Sequence, residues 1–183
     1  MKKIALAAVL GTMMAAASAQ VYVGGNVGQA RTNVDCSDSL SCDKSDTGYK
    51  LTVGYKLNPT VALEAAYVNF GKVKARYLDD DANPFSVEVK GHGVLLAAAF
   101  RYPVMPTLNV VGRLGMASLK AKGSSSLGTS DSESSTKPYV GLGAEYALTK
   151  ELRLTAAADF TRAKFADDSY AVRLLSLGAQ YDF

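Results

Sequence analysis

The chain has 183 residues, of which 48% are hydrophobic and 20% charged, with a formal net charge of +3. That is one domain's worth of chain, and so even a charge balance excludes the basic, aromatic-lined surface of a nucleic-acid binder. Ten Tyr, no Trp, 16 Gly and five Pro favour strands, turns and interfacial aromatics over helices.

The first segment reads as a secretory signal peptide. Lys2 and Lys3 precede an apolar run from Ile4 to Ala17, and Ala17-Ser18-Ala19 before Gln20 is a small-x-small cleavage pattern. The run is shorter than the ~20 residues a spanning helix needs. Residues 1–19 are therefore expected to be removed, leaving a domain over 20–183. No later stretch is long and uncharged enough for a helical anchor, so the remainder is either soluble beyond the inner membrane or a barrel. Cys36 and Cys42 sit in one polar stretch. In an exported protein they are expected to form a disulfide that restrains a loop. The metal reading is weak, because no second Cys pair exists and the only His, His92, is distant. No cofactor motif is found.

Period-two alternation then recurs along the chain, as expected where successive side chains point to opposite faces of a sheet. Segment 20–30 sets Val21, Val23 and Val27 against Tyr22 and Asn26. Segment 47–57 sets Tyr49, Leu51, Val53, Tyr55 and Leu57 against Lys50 and Lys56, and 60–70 sets Val61, Leu63, Ala65 and Tyr67 against Glu64. Segment 93–102 opposes Val94, Leu96, Ala98, Phe100 and Tyr102 to Arg101. In 107–119, Leu108, Val110, Leu114 and Met116 oppose Arg113. In 138–148, Val140, Leu142, Ala144, Tyr146 and Leu148 oppose Glu145. Finally, 151–162 opposes Leu152, Leu154 and Phe160 to Arg153 and Asp159, and 172–183 opposes Leu175, Leu177, Ala179, Tyr181 and Phe183 to Ser176, Gln180 and Asp182. The eight segments are each about the ~9–11 residues a tilted strand needs to cross a bilayer.

The connections alternate in length. Short turns fall at Asn58-Pro59, Pro103–Pro106 and Thr149-Lys150, and long polar stretches at 31–46, 71–92 and 122–137, with a shorter one near 163–170. Short turns on one rim and long loops on the other describe an eight-stranded, antiparallel, up-and-down transmembrane β-barrel, an all-β fold. The Ser-rich 122–137 stretch is expected to be a flexible exposed loop. Residues flanking 71–92 are candidates to continue strands above the membrane, with a bulge at Gly91 or Gly93.

In such a barrel the apolar face meets lipid and the charges turn inward. The alternation places Lys50, Lys56, Arg101, Arg113 and Arg153 inside with Glu64, Glu145, Asp159 and Asp182. Uncompensated charge in a narrow lumen is costly, so opposite partners are expected. Tyr55, Tyr102, Tyr146 and Tyr181 are expected to form an aromatic girdle near the short-turn rim, where Tyr22 would point inward instead. Arg173 falls on the outward face, tolerable only near the long-loop rim, within reach of lipid phosphate.

The terminal strand Leu174–Phe183, with Phe last and apolar or aromatic residues at every second place before it, resembles the final strand of outer-membrane barrels. Gly54-Tyr55 through Asn58-Pro59, Leu63-Glu64, Gly93-Val94 to Tyr102-Pro103, Arg113-Leu114-Gly115 and Glu145-Tyr146-Ala147 resemble the barrel domain of the OmpA-like outer-membrane family. The resemblance implies an outer-membrane location and a terminal strand, with Tyr181 and Phe183, read by the barrel assembly machinery. It also implies a lumen salt-bridge gate to which Glu64, Arg113 and Glu145 correspond. Two positions depart: a family Lys is Ala99 here, with Arg101 one step along the same face, and a family Arg is Thr155, with Arg153 nearer the turn. The family's peptidoglycan-binding domain, and a cell-wall tether through it, are not expected.

The leading functional expectation is a monomeric structural or surface-interaction barrel, in contact with outer-membrane lipid and lipopolysaccharide and presenting its loops to a surface ligand. A narrow pore for small solutes or ions comes second. A lipid-modifying enzyme ranks lower, since His92, Ser86 and Ser118 show no recognisable catalytic spacing. Asp79-Asp80-Asp81 lacks the spaced ligands of a calcium loop and reads as a solvated loop tip.

Overall fold

The computed structural model describes residues 20–33, 41–78, 84–125, 130–165 and 168–183. The leader, Cys36 and Asp79–Asp81 lie outside the described residues, as does the pairing of Cys36 with Cys42. Nine strands are present among those described: β1 (Val21–Thr32), β2 (Ser41–Asp43), β3 (Ser45–Lys56), β4 (Val61–Leu78), β5 (Pro84–Met105), β6 (Leu108–Ser125), β7 (Ser130–Ala147), β8 (Leu152–Phe165) and β9 (Asp168–Asp182). The three-residue β2 pairs with Lys74–Arg76 of β4, above the part of β4 that pairs with β3. It therefore extends the β3 position, and eight strands make the wall.

Every ladder is antiparallel, and the sheet closes on itself. β1 pairs with β3 on one side and with β9 on the other, from Tyr22↔Asp182 to Thr32↔Val172. β4 and β5 complete the ring. Closure is what a bilayer demands, because a bare strand edge in hydrocarbon would cost several kcal/mol per unpaired group. The alternation becomes an inversion of burial. Leu51, Leu96, Leu114 and Leu177 are 57%, 61%, 62% and 69% exposed, whereas Lys50, Glu145 and Asp159 are 3%, 1% and 2% exposed. A continuous belt of exposed Leu, Val, Tyr and Phe around the molecule has no place in water and fits a lipid-facing surface.

Two of the short turns are built alike. Asn58 Oδ1 accepts hydrogen bonds from the backbone N–H groups of Thr60 (2.9 Å) and Val61 (2.8 Å). Thr149 Oγ1 does the same for Glu151 (3.1 Å) and Leu152 (3.0 Å). Both are side-chain mimics of a backbone turn. The third turn is shorter than its sequence suggests. Pro103 remains in β5 opposite Asn109, and the register shifts before Met105↔Leu108, leaving only Pro106 and Thr107 between the strands.

The long connections differ more from expectation. β6 and β7 pair from Leu108↔Tyr146 to Ser124↔Ser130, so most of the supposed loop 122–137 is hairpin. β4 and β5, by contrast, run on to Leu78↔Pro84, continuing above the membrane as expected of the residues flanking 71–92. Ser, Gly and Thr composition argues for loop locally, but once β6 and β7 are in register their backbones continue to pair. At ~3.4 Å per residue the 22 residues of β5 run about 75 Å. With a tilt near 40° that is a rise of roughly twice the ~25 Å apolar band. The β4–β7 wall therefore stands well above the membrane.

The bulge falls at the level of Gly91, as expected, but the extra residue is on the facing strand. The β4–β5 register shifts between Asn69 and Lys72, so Phe70 and Gly71 of β4 oppose Gly91 alone. Gly71 has φ +71°, a conformation that costs other residues. Asn69 Oδ1 accepts the Gly71 N–H and Asp46 Oδ2 accepts the Lys72 N–H, each at 2.8 Å, which stitches the bulge to β3. Gly93 is an ordinary ladder position opposite Val68. The β7–β8 ladder ends at Val140↔Phe160. Above it Pro138 has no N–H to give, and Thr161 Oγ1 donates to the Pro138 carbonyl at 3.0 Å instead. A seam therefore opens in the upper wall there.

Replacing Gly71 with Val is expected to destabilise the folded barrel by roughly 1–3 kcal/mol, whereas Gly91→Ala, whose added Cβ meets nothing nearer than 3.8 Å, is expected to be near neutral. Equilibrium urea unfolding in lipid vesicles reads both. Equal costs would show that the bulge is not confined to β4.

Candidate functional site

The inward parity of the strands fills the barrel with three levels of charge and one apolar level. Nearest the short turns, Asp182 Oδ2 takes Lys56 Nζ at 2.9 Å and Arg153 Nε at 2.8 Å, while its Oδ1 accepts from Gln180 Nε2 at 2.8 Å. Lys56 and Arg153 remain about a fifth exposed, so this level is wet.

The next level is a ring of alternating sign. Arg113 Nε donates to Glu64 Oε2 at 2.7 Å and its Nη2 to Glu64 Oε1 at 3.2 Å, a forked pairing. Arg101 Nε donates to Glu145 Oε2 at 3.1 Å. Two longer ion pairs close the ring, Arg101 Nη2 to Glu64 Oε1 at 3.6 Å and Arg113 Nη2 to Glu145 Oε1 at 3.7 Å. Arg101 Nη2 and Glu145 Oε1 make no hydrogen bond among the described residues, so the ring is electrostatically closed but not fully hydrogen-bonded. Tyr22 donates its hydroxyl to Glu64 Oε1 at 2.7 Å and lays its ring 4.7 Å from the Arg101 guanidinium. That ring needs the space at Gly54, where a Cβ would come within 2.0 Å of it.

Farther from the turns, Lys50 Nζ reaches both carboxylate oxygens of Asp159, at 2.8 and 2.6 Å. The Tyr139 hydroxyl donates to the same carboxylate. Asn26 Nδ2 donates to Thr155 Oγ1 at 2.9 Å. A polar cavity of about 10 Å³ lies between these groups and Arg113, close to the smallest volume that holds one water. Toward the long hairpins the lumen turns apolar, packed with Val68, Phe70, Leu95, Leu119, Val172 and Leu174. The sequence contains no charged residue on those inward positions, and their apolar parity partners on the outside mask the transition.

All nine charges assigned inward thus lie on the inner face in opposite-sign contacts. Tyr139 is the member of the site that residue type does not reveal, and Tyr22, expected to point inward, joins the charge network as well. Tyr22 had only its parity to mark it, and Tyr139 shares the parity of Glu145 within an outwardly apolar segment. Ala99 is fully buried against Tyr22, Ala62 and Val111, so Arg101 alone supplies that strand's inward cation. His92 is a half-buried ladder residue of β5 on the outward parity, its ring 6.5 Å from that of Tyr67. Tyr55, Tyr102, Tyr146 and Tyr181 are exposed on the outer face, and Tyr181 packs edge-on against Phe183 at 5.1 Å.

A closed sheet of eight strands, greasy outside and ionic within, defines a transmembrane β-barrel. Residues 4–183 match the outer membrane protein beta-barrel domain, and the chain belongs to that family; it is a bacterial outer-membrane protein. It is 30% identical over its whole length to outer membrane protein A of Yersinia pseudotuberculosis, of which it covers 56%. Across the outer membrane protein A relatives it matches, the chain spans between 37% and 56% of their length. Among solved structures, the N-terminal barrel of Pseudomonas aeruginosa OprF is 18% identical with a TM-score of 0.60, over 90% of this chain and 98% of that one. Ail of Yersinia pestis is 20% identical with a TM-score of 0.56, over 90% and 99%. At these identities the solved structures share the fold.

Removing one partner of the Lys50–Asp159 pair strands a buried charge. Lys50→Met is expected to cost about 3–5 kcal/mol, and adding Asp159→Asn to recover most of it, because no unpaired charge then remains. Unfolding midpoints of the two variants in vesicles give the comparison; equal losses would mean that the pair is not buried as described.

Proposed function

We propose that the chain is a sealed structural barrel of the outer membrane that offers its extended hairpins to the cell surface. The observation that carries this reading is the filling of the lumen. The Glu64–Arg101–Arg113–Glu145 ring, the Lys50–Asp159–Tyr139 level and the apolar plug stand in series along one axis. An eight-stranded wall leaves room for side chains and little else. An ion on that path would have to break a buried pair and then cross a dry apolar level, with no compensating water.

The surface role is supported by the height of the β4–β7 wall and by its polar Ser, Thr and charged content beyond the belt. A complex of Ail with the heparin analogue sucrose octasulfate is a precedent for ligand binding by a barrel of this shape. In this reading residues 1–19 are a leader removed on export, Cys36 and Cys42 tie one surface loop, and the protein works as a monomer without a cofactor or catalytic step. The outward Tyr181 and Phe183, the latter donating its N–H to the Val21 carbonyl at 3.0 Å beside the closing seam, are what the assembly machinery reads.

The test is conductance across a planar bilayer. Wild-type protein and Glu64→Ala/Arg113→Ala are both expected to leave the bilayer insulating, since the apolar plug remains in the double variant. Stable wild-type openings, altered by Arg113→Ala, would establish a narrow pore instead.

A further inference from the structure

We propose that the membrane-facing wall of β1, β8 and β9 binds a phosphorylated, acylated lipid of the outer leaflet, with Arg31, Arg173 and Arg162 holding the phosphate and an alanine-floored groove beneath them receiving an acyl chain. The site is outside the lumen and does not depend on whether the lumen conducts.

The first observation is a like-charge pair. Arg31 and Arg173 are direct cross-strand partners, and both side chains are exposed on the outer face. Like charges directly opposite one another destabilise a sheet. Their lateral neighbours in the same row are Ser45 on β3 and Phe160 on β8, neither of them an anion. Arg162, also exposed, is the diagonal neighbour of Arg173, since Phe160 pairs with Arg173 and Arg162 with Ala171. Among the described residues no carboxylate lies within 4.0 Å of these three guanidiniums. Three forked donors stand as register neighbours on one patch, with no carboxylate paired to them among the described residues.

The second observation is where the patch sits. Arg173 of β9 precedes Phe183, just past the end of that strand, by ten residues. At ~3.4 Å per residue and a tilt near 40° that is about 25 Å, the height of the apolar band. The arginines thus stand at the level of the lipid headgroups on the long-hairpin side.

The third observation lies immediately below. The row Leu142–Ala158–Leu175 is the one next to Val140–Phe160–Arg173. It opens a groove of about 630 Å³ on the outer face, floored by Ala144, Ala156 and Ala158 between Leu142, Leu175 and Leu177. The belt has another outer-face concavity, of about 690 Å³ around Gly25, Ala65 and Ala179, but the groove at Ala144, Ala156 and Ala158 is the one in the row directly beneath Arg173. A ridge of alanines in a lipid-facing wall leaves a slot for a hydrocarbon chain, and the guanidiniums above it select a chain that ends in phosphate. A soluble anion would satisfy the arginines but leave the groove unused, so the occupant is a lipid.

The experiment uses protein folded in neutral detergent and titrated with bisphosphorylated lipid A, read by native mass spectrometry and by the temperature of the heat-dependent gel shift. One saturable lipid is expected per barrel, with a rise in the transition temperature. Arg31→Gln/Arg173→Gln is expected to weaken binding at least tenfold, yet without lipid to be as stable as the parent or more so, because the like-charge pair is gone. Ala158→Phe, which fills the groove on a face already in contact with detergent, is expected to weaken binding while leaving the arginines intact. Parent-like affinity in either variant overturns the proposal. So does inorganic phosphate that displaces the lipid at millimolar concentration, which would make the patch a general anion site.

Discussion

A bilayer offers no hydrogen-bond partner to a backbone, and the rest of this structure depends on that constraint. Each spanning strand must be paired on both sides, so the first and last strands have to meet. β1 and β9 do so over a continuous register from Tyr22↔Asp182 to Thr32↔Val172. Once the sheet is closed, period-two alternation allows only one arrangement. One parity faces hydrocarbon and the other faces a space too narrow for bulk water. The apolar parity resolves the first demand without cost. The polar parity must resolve the second by pairing, which is why Glu, Asp, Arg and Lys from distant strands meet on the axis.

The closure relaxes where the constraint does. Within the belt the ladders are regular. Above it the bulge at Phe70-Gly71 turns β4 and the β7–β8 ladder stops at Val140↔Phe160. In water an open edge can be solvated, so the protruding wall needs no closure. Inside the belt, by contrast, the lumen itself passes from ion pairs to an apolar level that still alternates with lipid-facing residues such as Val94 and Leu175.

Much of this was legible in the residues. The strand count, the rims and the inward parity of Lys50, Glu64, Arg113 and Asp159 follow from alternation and connection length, which are local properties. The partners were not legible. Lys50 and Asp159 are 109 residues apart, and which inward groups meet depends on the stagger between strands around the ring, a quantity no single segment encodes. Parity with Asn26 places Tyr22 inside but names no partner for it, and Tyr139, an even step from Gly141, escapes notice because tyrosine in such a barrel is expected at the interface. The hairpin over Lys122–Lys137 was hidden by Ser and Gly, whose weak strand preference is overridden by pairing with a neighbour already in register. Gly91 marks the level of the bulge, but the extra residue belongs to the facing Asn69-Phe70-Gly71, with Asp46 supplying an acceptor, a pairing that the Gly91 segment alone does not encode.

The central claim is that hydrocarbon wets the Leu, Val and Tyr parity and that the charged parity is enclosed. Single nitroxide labels at successive positions 174–181 of a cysteine-free variant in lipid vesicles test it directly. Dissolved oxygen is expected to relax labels at 175, 177, 179 and 181 strongly, with a polar paramagnetic agent excluded, and labels at 174, 176, 178 and 180 are expected to be shielded from both. Access of the polar agent to the 175–181 odd positions, or the absence of a two-residue period, would contradict the account.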